Sequence, residues 1–578
     1  MWREARYLTG LIRTLLRVRS IEPASTNLLV DDVEAAVDRW ADRLAIRFEG
    51  AELTYRQFDS LADRFCAWAG ARGLERGQSV AILLPNRLEY LPLWLGLAKR
   101  GVVAALINYQ LTGEALRHCL ELSQARLCFV DASTRAAFAA AAPEGMAAVE
   151  IDTELAGLDP SARRPPATAR AGMTARDTAL LIFTSGTTGL PKAAPINHVR
   201  AQLYMRGFAG ATNAKPTDRV YVTLPLYHAT GGLCAAGAAL LNGAAILLRR
   251  GFSASHFWAD IAAEKASMFV YVGEMCRYLI AQPSSPAERA GSVRLAFGNG
   301  LSEDIWPQMR QRFGIERILE FYGSTEGNVS LFNFDGGEGA CGRIPFYLAP
   351  LFNVAVVRFD AETDRPVRNR RGRCVRARAG EVGECLGQVH DQARSAYSGY
   401  VDAAASEQKL LRNAFRSGDA WFQTGDLMRR DRHGYFYFVD RVGDTFRWKG
   451  ENVSASEVER VLAQVPGVSA AAVYGVKVPH HDGRAGMAAI VAAPGLDLDL
   501  LAQALDRALP PYAQPLFLRE VDGLELTGTF KTRKQALAAA GFDPAACGGR
   551  LWLHDRALGY VRLSPHTFGR IQSGEERL

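Results

Sequence analysis

The chain is short of several diagnostic features. None of its nine cysteines (Cys66, Cys119, Cys128, Cys234, Cys276, Cys341, Cys374, Cys385 and Cys547) sits in a CxxC pair. That excludes a zinc ribbon and a thiol-redox motif, and the odd, scattered set predicts reduced, mostly buried thiols in a cytoplasmic protein. Zinc-finger spacing and interleaved basic–aromatic repeats are missing as well, so no nucleic-acid partner is expected. No apolar run reaches the ~20 residues of a spanning helix, and residues 1–19 lack the uninterrupted apolar core of a signal peptide. No repeat recurs at a fixed period. Charge of one sign is scarce too: 68 Lys and Arg against 61 Asp and Glu leave a formal +7, a mild excess suited to a polyanionic ligand or an anionic surface.

What is present is an ordinary globular composition, 48% hydrophobic and 22% charged, in a length that predicts several structural units. Residues 1–19 place Trp2, Tyr7, Leu8, Leu11, Ile12, Leu15 and Leu16 at helical spacing, with Arg3, Arg6, Arg13, Arg17 and Arg19 between them. Such a basic amphipathic helix either lies in a membrane interface or packs on the protein's own surface, and the pattern does not separate the two. From 32 to 131, helices at 53–65, 90–99 and 113–123 alternate with apolar strands at 79–84, 102–106 and 125–130, which predicts a parallel doubly wound sheet. The Pro-, Ala- and Arg-rich stretch 157–173 predicts an exposed connection. A second βα series covers 219–321. Within it the apolar stretch 231–248, broken by Asn242 and Gly243, predicts a helix, a turn and a buried strand. Shorter strands with glycine-rich turns at 354–389 suggest a β-barrel-like portion, and the arginine-rich string 368–378 a solvated loop. The expected architecture is α/β: a basic amphipathic segment at 1–26, a large N-terminal domain at 27–441 of two doubly wound sheets plus the barrel-like portion, and a smaller mobile α/β domain at 442–578.

The chemistry gathers in short strings. TSGTTGLPK at 184–192 follows an apolar strand. Gly186 and Gly189 permit tight turns, Thr184, Ser185, Thr187 and Thr188 offer hydroxyls and N–H groups to an anion, and Lys192 adds a mobile cation, so the loop suits phosphate. It is not a Walker A loop, because the GxxxxGK[ST] order is absent and no helix follows Lys192 directly. YGSTEG at 322–327 supplies the Glu326 carboxylate, which beside phosphates is useful mainly through a hard cation with oxygen ligands. TGD at 424–426 supplies Asp426. Each string alone would more often be a structural turn.

In this order the strings resemble the adenylate-forming superfamily of acyl-CoA synthetases, luciferases and peptide-synthetase adenylation domains. A narrower set is similar to the fatty acid transport protein and very-long-chain acyl-CoA synthetase family. It comprises LPLYH at 224–228, YVGEMCRY at 271–278, GNG at 298–300, GDTFRWKGENV at 443–453, VYGV at 473–476, GRAGMAA at 483–489, TGTFK at 527–531 and GFDP at 541–544, so the likeness spans about residues 30–570.

The resemblance implies a long-chain or very-long-chain fatty acid–CoA ligase that uses ATP, Mg²⁺ and, as co-substrate, CoA, with uptake of the acid by trapping as a coupled role. It assigns catalysis to Lys531, Glu326 and Thr184, with Thr184 and Glu326 at the metal. Tyr322 would stack on adenine beside Gly323 and Ser324, Thr325 would contact the α-phosphate, and Gly298, Asn299 and Gly300 would form the adenine and acyl wall. Asp426 would bond the ribose, and Arg441 would reach the nucleotide. Tyr227 and His228 would gate the acyl side, and glycines at 298 and 300 would leave room for a long or bulky chain. In a second conformation, reached by rotation about a hinge at Gly443, residues 447–452 with Arg447 would guide CoA.

Lys531 also has a physical argument. The attacking carboxylate and the α-phosphate are both anionic, and bringing them together requires a bridging cation. Lys534, by contrast, reads as a surface lysine. The alternatives are a ligase for bulky sterol or bile acids and a fatty acyl-AMP ligase that loads a carrier protein. The expected partner is a fatty acid or other hydrophobic carboxylic acid. The expected location is cytoplasmic, or peripheral on the inner face of the cell membrane through the N-terminal segment. Chain-length preference and oligomeric state are not legible in the sequence.

Overall fold

The computed structural model describes the chain apart from residues 1, 185–189, 291–292, 361–362, 391–395, 450, 482, 528–531, 549, 556–557 and 577–578, and the Asn452 side chain. The chain divides into two compact units. The first holds residues 1–353, 387–411 and 420–422; the second holds 354–386, 412–419 and 423–578. The barrel-like segment thus groups with the C-terminal residues.

The first unit contains two doubly wound sheets. One has six strands in the order Ala147–Glu150, Leu127–Val130, Ser79–Ile82, Val103–Leu106, Thr178–Thr184, Lys192–Asn197. Its interior pairings are parallel, and Lys192–Asn197 closes the edge antiparallel to Thr178–Thr184. The other has eight strands in the order Ser330–Phe332, Ile318–Gly323, Leu295–Asn299, Met268–Val272, Arg219–Val222, Ala245–Leu248, Leu44–Phe48, Ala51–Thr54. It is parallel except at its two ends. The fully apolar strands LCFV and MFVYV are what a sheet covered on both faces requires.

Several sequence expectations are refined by specific contacts. Leu53 belongs to the strand Ala51–Thr54, not to the helix expected at 53–65. Thr54 caps the helix Tyr55–Ala71, accepting from the Gln57 N–H at 3.2 Å while the Gln57 side chain accepts from the Thr54 N–H at 2.9 Å. The 231–248 stretch forms a π-helical turn Thr230–Ala235, a helix Ala236–Leu240 and the buried strand Ala245–Leu248, as its pattern predicts. The stretch 157–173 is not simply an exposed connection. Arg164 pairs with Asp59 at 2.7 Å, and buried Arg170 pairs with Asp31 at 2.7 Å and Glu34 at 2.9 Å. The arginine-rich string is largely exposed, although the Arg376 guanidinium lies 4.2 Å from the Phe415 ring. All nine cysteines are buried and unbonded to one another.

The N-terminal pattern does form a helix, Trp2–Val18, and one of its faces packs on the first unit. Tyr7, Leu11 and Val18 are buried, and the Tyr7 hydroxyl donates to the Arg343 carbonyl at 2.6 Å. Arg13 donates to the Gly210 and Ala211 carbonyls at the end of the helix His198–Thr212, and Arg17 donates to Asn242 at 2.9 Å. Among the described residues no helix is long and apolar enough to cross a membrane.

Strands Val354–Asp360, Val382–Gln388, Ala420–Arg430 and Tyr435–Arg441, most of whose residues belong to the second unit, run side by side. A separate five-stranded sheet follows the order Val468–Val476, Ala485–Ala492, Phe517–Glu520, Leu551–Asp555, Gly559–Arg562. Helix Ala455–Leu462 buries Val458 and Leu462 against Val473, Met487 and Phe517. The family-like GFDP string serves this core, where Phe542 stacks on Phe517 with ring centroids 4.3 Å apart.

Candidate active site

In an open parallel sheet the loops after the carboxyl ends of the strands form the ligand crevice. Both sheets of the first unit place candidate residues there. Thr184 ends its strand, Gly300 follows Leu295–Asn299, and Ser324, Thr325 and Glu326 follow Ile318–Gly323. Residues 185–189 and Lys531 lie outside the described residues, so Ser185, Gly186, Thr187, Thr188, Gly189 and Lys531 stay as expectations.

Tyr400 joins the separated strings, and no sequence pattern marked it. Its hydroxyl donates to Glu326 at 3.0 Å and also meets the Thr184 side chain, while the Lys192 ammonium sits 5.3 Å from its ring centroid. Burial, and then the neighbouring Glu326 charge, raise the Tyr400 phenol well above its ordinary value, so it stays a donor to the carboxylate. The Val401 N–H donates to the Ala193 carbonyl at 2.9 Å, and Tyr397 stacks on Phe422 at 5.1 Å. These contacts bring residues 397–401 alongside the strand Lys192–Asn197.

No Lys or Arg among the described residues pairs with Glu326. A carboxylate without a cation beside a phosphate-type loop fits Mg²⁺, which takes one or two carboxylates and completes its shell with phosphate oxygens and water. No group of three or more His, Cys, Asp or Glu side chains forms a closed metal cage among the described residues.

Arg200, on the helix His198–Thr212, holds the second string in shape. Its Nε donates to the Thr325 carbonyl and its Nη2 to the Ser324 carbonyl, both at 2.8 Å, and the Tyr204 hydroxyl donates to the Ser324 carbonyl at 3.0 Å. The Gly327 N–H donates to Ser324 Oγ at 3.1 Å and closes the turn. Arg200→Ala frees the Thr325 carbonyl and leaves the Ser324 carbonyl to the Tyr204 hydroxyl alone. The expected result is a fall of about 10- to 10²-fold in kcat/KM for ATP, the size of effect that small misplacements produce. Pyrophosphate release checks it, with circular dichroism to confirm an intact fold.

At Gly298 and Gly300, expected to line the adenine and acyl wall, the backbone itself requires glycine. A Cβ at Gly298 would lie 2.2 Å from the Tyr271 carbonyl oxygen, and Gly300 has φ +85°. Under this turn sits Glu320, fully buried. It accepts from the Leu301 N–H at 2.9 Å, from the Gly300 N–H and from the Tyr271 hydroxyl. Burial raises its carboxyl to about 8 from the ordinary 4.5. The folded protein therefore holds this proton more tightly than the unfolded chain. Its contribution to stability declines as pH rises from about 4.5 and is lost above about 8. Glu320→Gln is expected to flatten that slope: between pH ~5 and ~9 its melting temperature should fall less than that of the unaltered protein. A thermal scan across pH checks it.

On the expected acyl side, Tyr227 is buried against Tyr109, with centroids 5.9 Å apart, and against His228 at 4.4 Å. The Tyr227 hydroxyl has no hydrogen-bond partner among the described residues, and burial raises its phenol well above the usual value. Asn86 positions the segment before it. Its side chain donates to the Leu224 carbonyl at 3.0 Å and the Arg249 carbonyl at 2.9 Å, and it accepts from the Leu226 N–H at 2.9 Å. The π-helical turn Thr230–Ala235 begins two residues past His228, and such turns recur at functional sites.

In the second unit Asp426 and Arg441 are cross-strand partners, with Arg441 Nε 3.5 Å from Asp426 Oδ1. The Thr424 hydroxyl donates to the Cys385 carbonyl at 2.8 Å and accepts from the Asp426 N–H at 3.1 Å. Gly443 has φ +95° in the turn that follows. Arg447 lies on the strand Thr445–Trp448, and its carbonyl accepts from the Arg484 N–H at 2.7 Å. Lys534 is not a surface lysine: it is largely covered and pairs with Glu459 at 2.8 Å. Burial opposes its charge, but Glu459, Asp444 and Asp440 outweigh burial and raise its value.

The family model for AMP-binding enzymes matches residues 33–386, and the model for the AMP-binding enzyme C-terminal domain matches 457–531. The chain is 36% identical to long-chain fatty acid transport protein 6 of Mus musculus, over 100% of this chain and 96% of that protein. It is 40% identical to the medium/long-chain-fatty-acid–CoA ligase FadD6 of Mycobacterium tuberculosis, over 92% and 87%. The structure of ATP-bound MatB from Rhodopseudomonas palustris superposes with a TM-score of 0.70 at 25% identity, covering 88% of this chain and 98% of that one. The o-succinylbenzoate CoA synthetase MenE of Bacillus subtilis, solved with ATP and magnesium, shares the fold with a TM-score of 0.70 at 23% identity, over 87% and 98%.

Proposed function

The chain belongs to the AMP-binding enzyme family, and from that premise we propose that it joins a medium- or long-chain fatty acid to CoA through an acyl-adenylate. It is an AMP-forming acyl-CoA synthetase, and its relatives include a fatty acid–CoA ligase and fatty acid transport proteins. The observation that carries the reading is the convergence of Thr184, Lys192 and Glu326 on Tyr400.

In the first step a carboxylate oxygen of the acid attacks the α-phosphorus of ATP and the bond to pyrophosphate breaks. Glu326, oriented by Tyr400, and Thr184 would hold Mg²⁺, which when bound offsets phosphate charge. Lys192 adds positive charge at the phosphates, Thr325 contacts the α-phosphate, Tyr322 stacks on adenine, and Asp426 takes the ribose hydroxyls. Lys531 would bridge the two anions as they meet. In the second step the CoA sulfur attacks the acyl carbonyl and AMP leaves, with Arg447 and its neighbours guiding CoA after a turn about Gly443. Uptake by trapping follows from the same chemistry, and peripheral contact with a membrane would bring the enzyme to where such an acid partitions.

The test is a CoA-ligation screen over short, medium, long and sterol-like acids, with pyrophosphate release measured with and without CoA. Turnover should centre on medium to long chains and require CoA for thioester. Turnover confined to acetate and propionate overturns the substrate class. Adenylate formation without transfer to CoA points instead to a carrier-protein loader.

A further inference from the structure

The helix Trp2–Val18 turns one face to the protein and leaves the other bare. On the bare face Trp2 is 81%, Ile12 54% and Leu16 55% exposed. Packing the helix on the protein therefore accounts for only half of its amphipathic pattern. A second segment far along the chain adds to this surface. The turn ending at Ala349–Leu351 exposes Phe346 (82%) and Leu351 (80%). The Tyr347 hydroxyl donates to Glu4 and Arg343 pairs with Glu4 at 2.8 Å, which brings the turn to the same end of the helix as Trp2. Large apolar side chains left exposed together in this way mark an interaction site.

The helix itself is basic. Glu4, the helix's one acid, is taken up by Arg343 and Tyr347. Arg3, Arg17 and Arg19 are exposed. Arg6 and Arg13, about two turns apart, face Arg294 and Arg317. Burial first, then repulsion from Arg6, Arg13 and Arg294, lowers the Arg317 guanidinium to about 10, and its Nε is buried without a hydrogen-bond partner among the described residues.

We propose that this composite surface, the outer face of Trp2–Val18 together with the turn at Phe346 and Leu351, docks on a bilayer carrying anionic phospholipids. It rests on the peripheral contact named above and adds which residues make it. Trp2, Ile12, Leu16, Phe346 and Leu351 enter the boundary between headgroups and acyl chains, and the exposed Arg3 and Arg19 meet lipid phosphates. A second copy of the chain is the poorer occupant, because a two-fold contact would set the same arginines against one another.

Full-length protein is sedimented with vesicles of phosphatidylcholine alone or mixed with phosphatidylglycerol. Binding should require the anionic lipid and weaken with salt. Ile12→Ser with Leu16→Ser, and separately Phe346→Ser with Leu351→Ser, should each weaken it about tenfold or more. Arg3→Gln should weaken it about fivefold, while ligation of a water-soluble acid stays unchanged in all three. If the unaltered protein binds but the apolar variants bind equally well, the composite surface is wrong and peripheral contact stands. If the unaltered protein binds neither vesicle, both fail. Concentration-dependent self-association in light scattering that the same substitutions abolish would assign the face to a second copy and overturn the proposal.

Discussion

Lys531→Ala is expected to slow adenylate formation by about 10²- to 10³-fold, the loss typical when one preorganised electrostatic group at a developing charge is removed. The physics is local to the reacting atoms. A carboxylate and an α-phosphate repel, and an ammonium between them lowers the barrier only while they meet. The loss should therefore fall on kcat of the first step and not on the binding of ATP. Thioester formation from a supplied acyl-adenylate should change less than about threefold, since that step joins no such pair of anions. The lysine nearest in sequence is no substitute, because Lys534 is engaged by Glu459. The flanks of the string are tied together by the bridge between Leu526 and Thr532 and by the Arg533 N–H donating to the Glu525 carbonyl at 2.8 Å. Equal losses in both half-reactions would remove Lys531 from this role and leave it a structural residue.

The second large effect concerns stability. Lys99 is completely buried and lies 2.6 Å from Asp59, 2.5 Å from Asp63 and 3.1 Å from Glu34. Arg164 and Arg170 complete the network from the 157–173 stretch. Burial opposes the lysine's charge, yet Asp59 and Asp63 outweigh it and raise its value, while burial raises Asp63. Of the three carboxylates around Lys99, Asp59 keeps Arg164 and Glu34 keeps Arg170, so Lys99→Met leaves Asp63 in a poorly solvated site with no ion-pair partner among the described residues. Breaking a buried ion pair from one side typically costs about 3–5 kcal/mol. Urea unfolding followed by tryptophan fluorescence should show that loss in the transition of the first unit. Asp63→Asn placed on top of Lys99→Met should recover part of it, because it removes the uncompensated charge. A single variant within about 0.5 kcal/mol of the unaltered protein would mean that water or relaxation solvates the site.

The parts of the molecule legible in the sequence share one property: their signal is local. Fully apolar runs announced the parallel strands because a strand covered on both faces has no polar side. Thr184, Glu326 and Asp426 stood out because their neighbours supply turns and donors within a few residues. The Asp426–Arg441 pair, written as two separate strings, became adjacent because two consecutive strands pair in antiparallel register.

Partnership between distant segments was not legible. Nothing near Tyr400 distinguishes it from any other tyrosine, and it acquires its position because Val401 is bonded to Ala193 and its hydroxyl reaches Glu326. Arg200 and Asn86 work by satisfying carbonyls of other loops, and backbone carbonyls leave no mark on composition. Lys534 reads as a surface lysine, and only packing shows it largely covered and paired with Glu459, just as only packing shows Lys99 buried among carboxylates.

The N-terminal helix shows the division most clearly. By itself the sequence determined that residues 2–18 form a helix with an apolar side and an arginine-rich side, since periodicity is a property of consecutive residues. Only the tertiary structure decided that Tyr7, Leu11 and Val18 face the protein while Trp2, Ile12 and Leu16 face outward, because which stripe of a helix is buried depends on the shape of the surface that meets it.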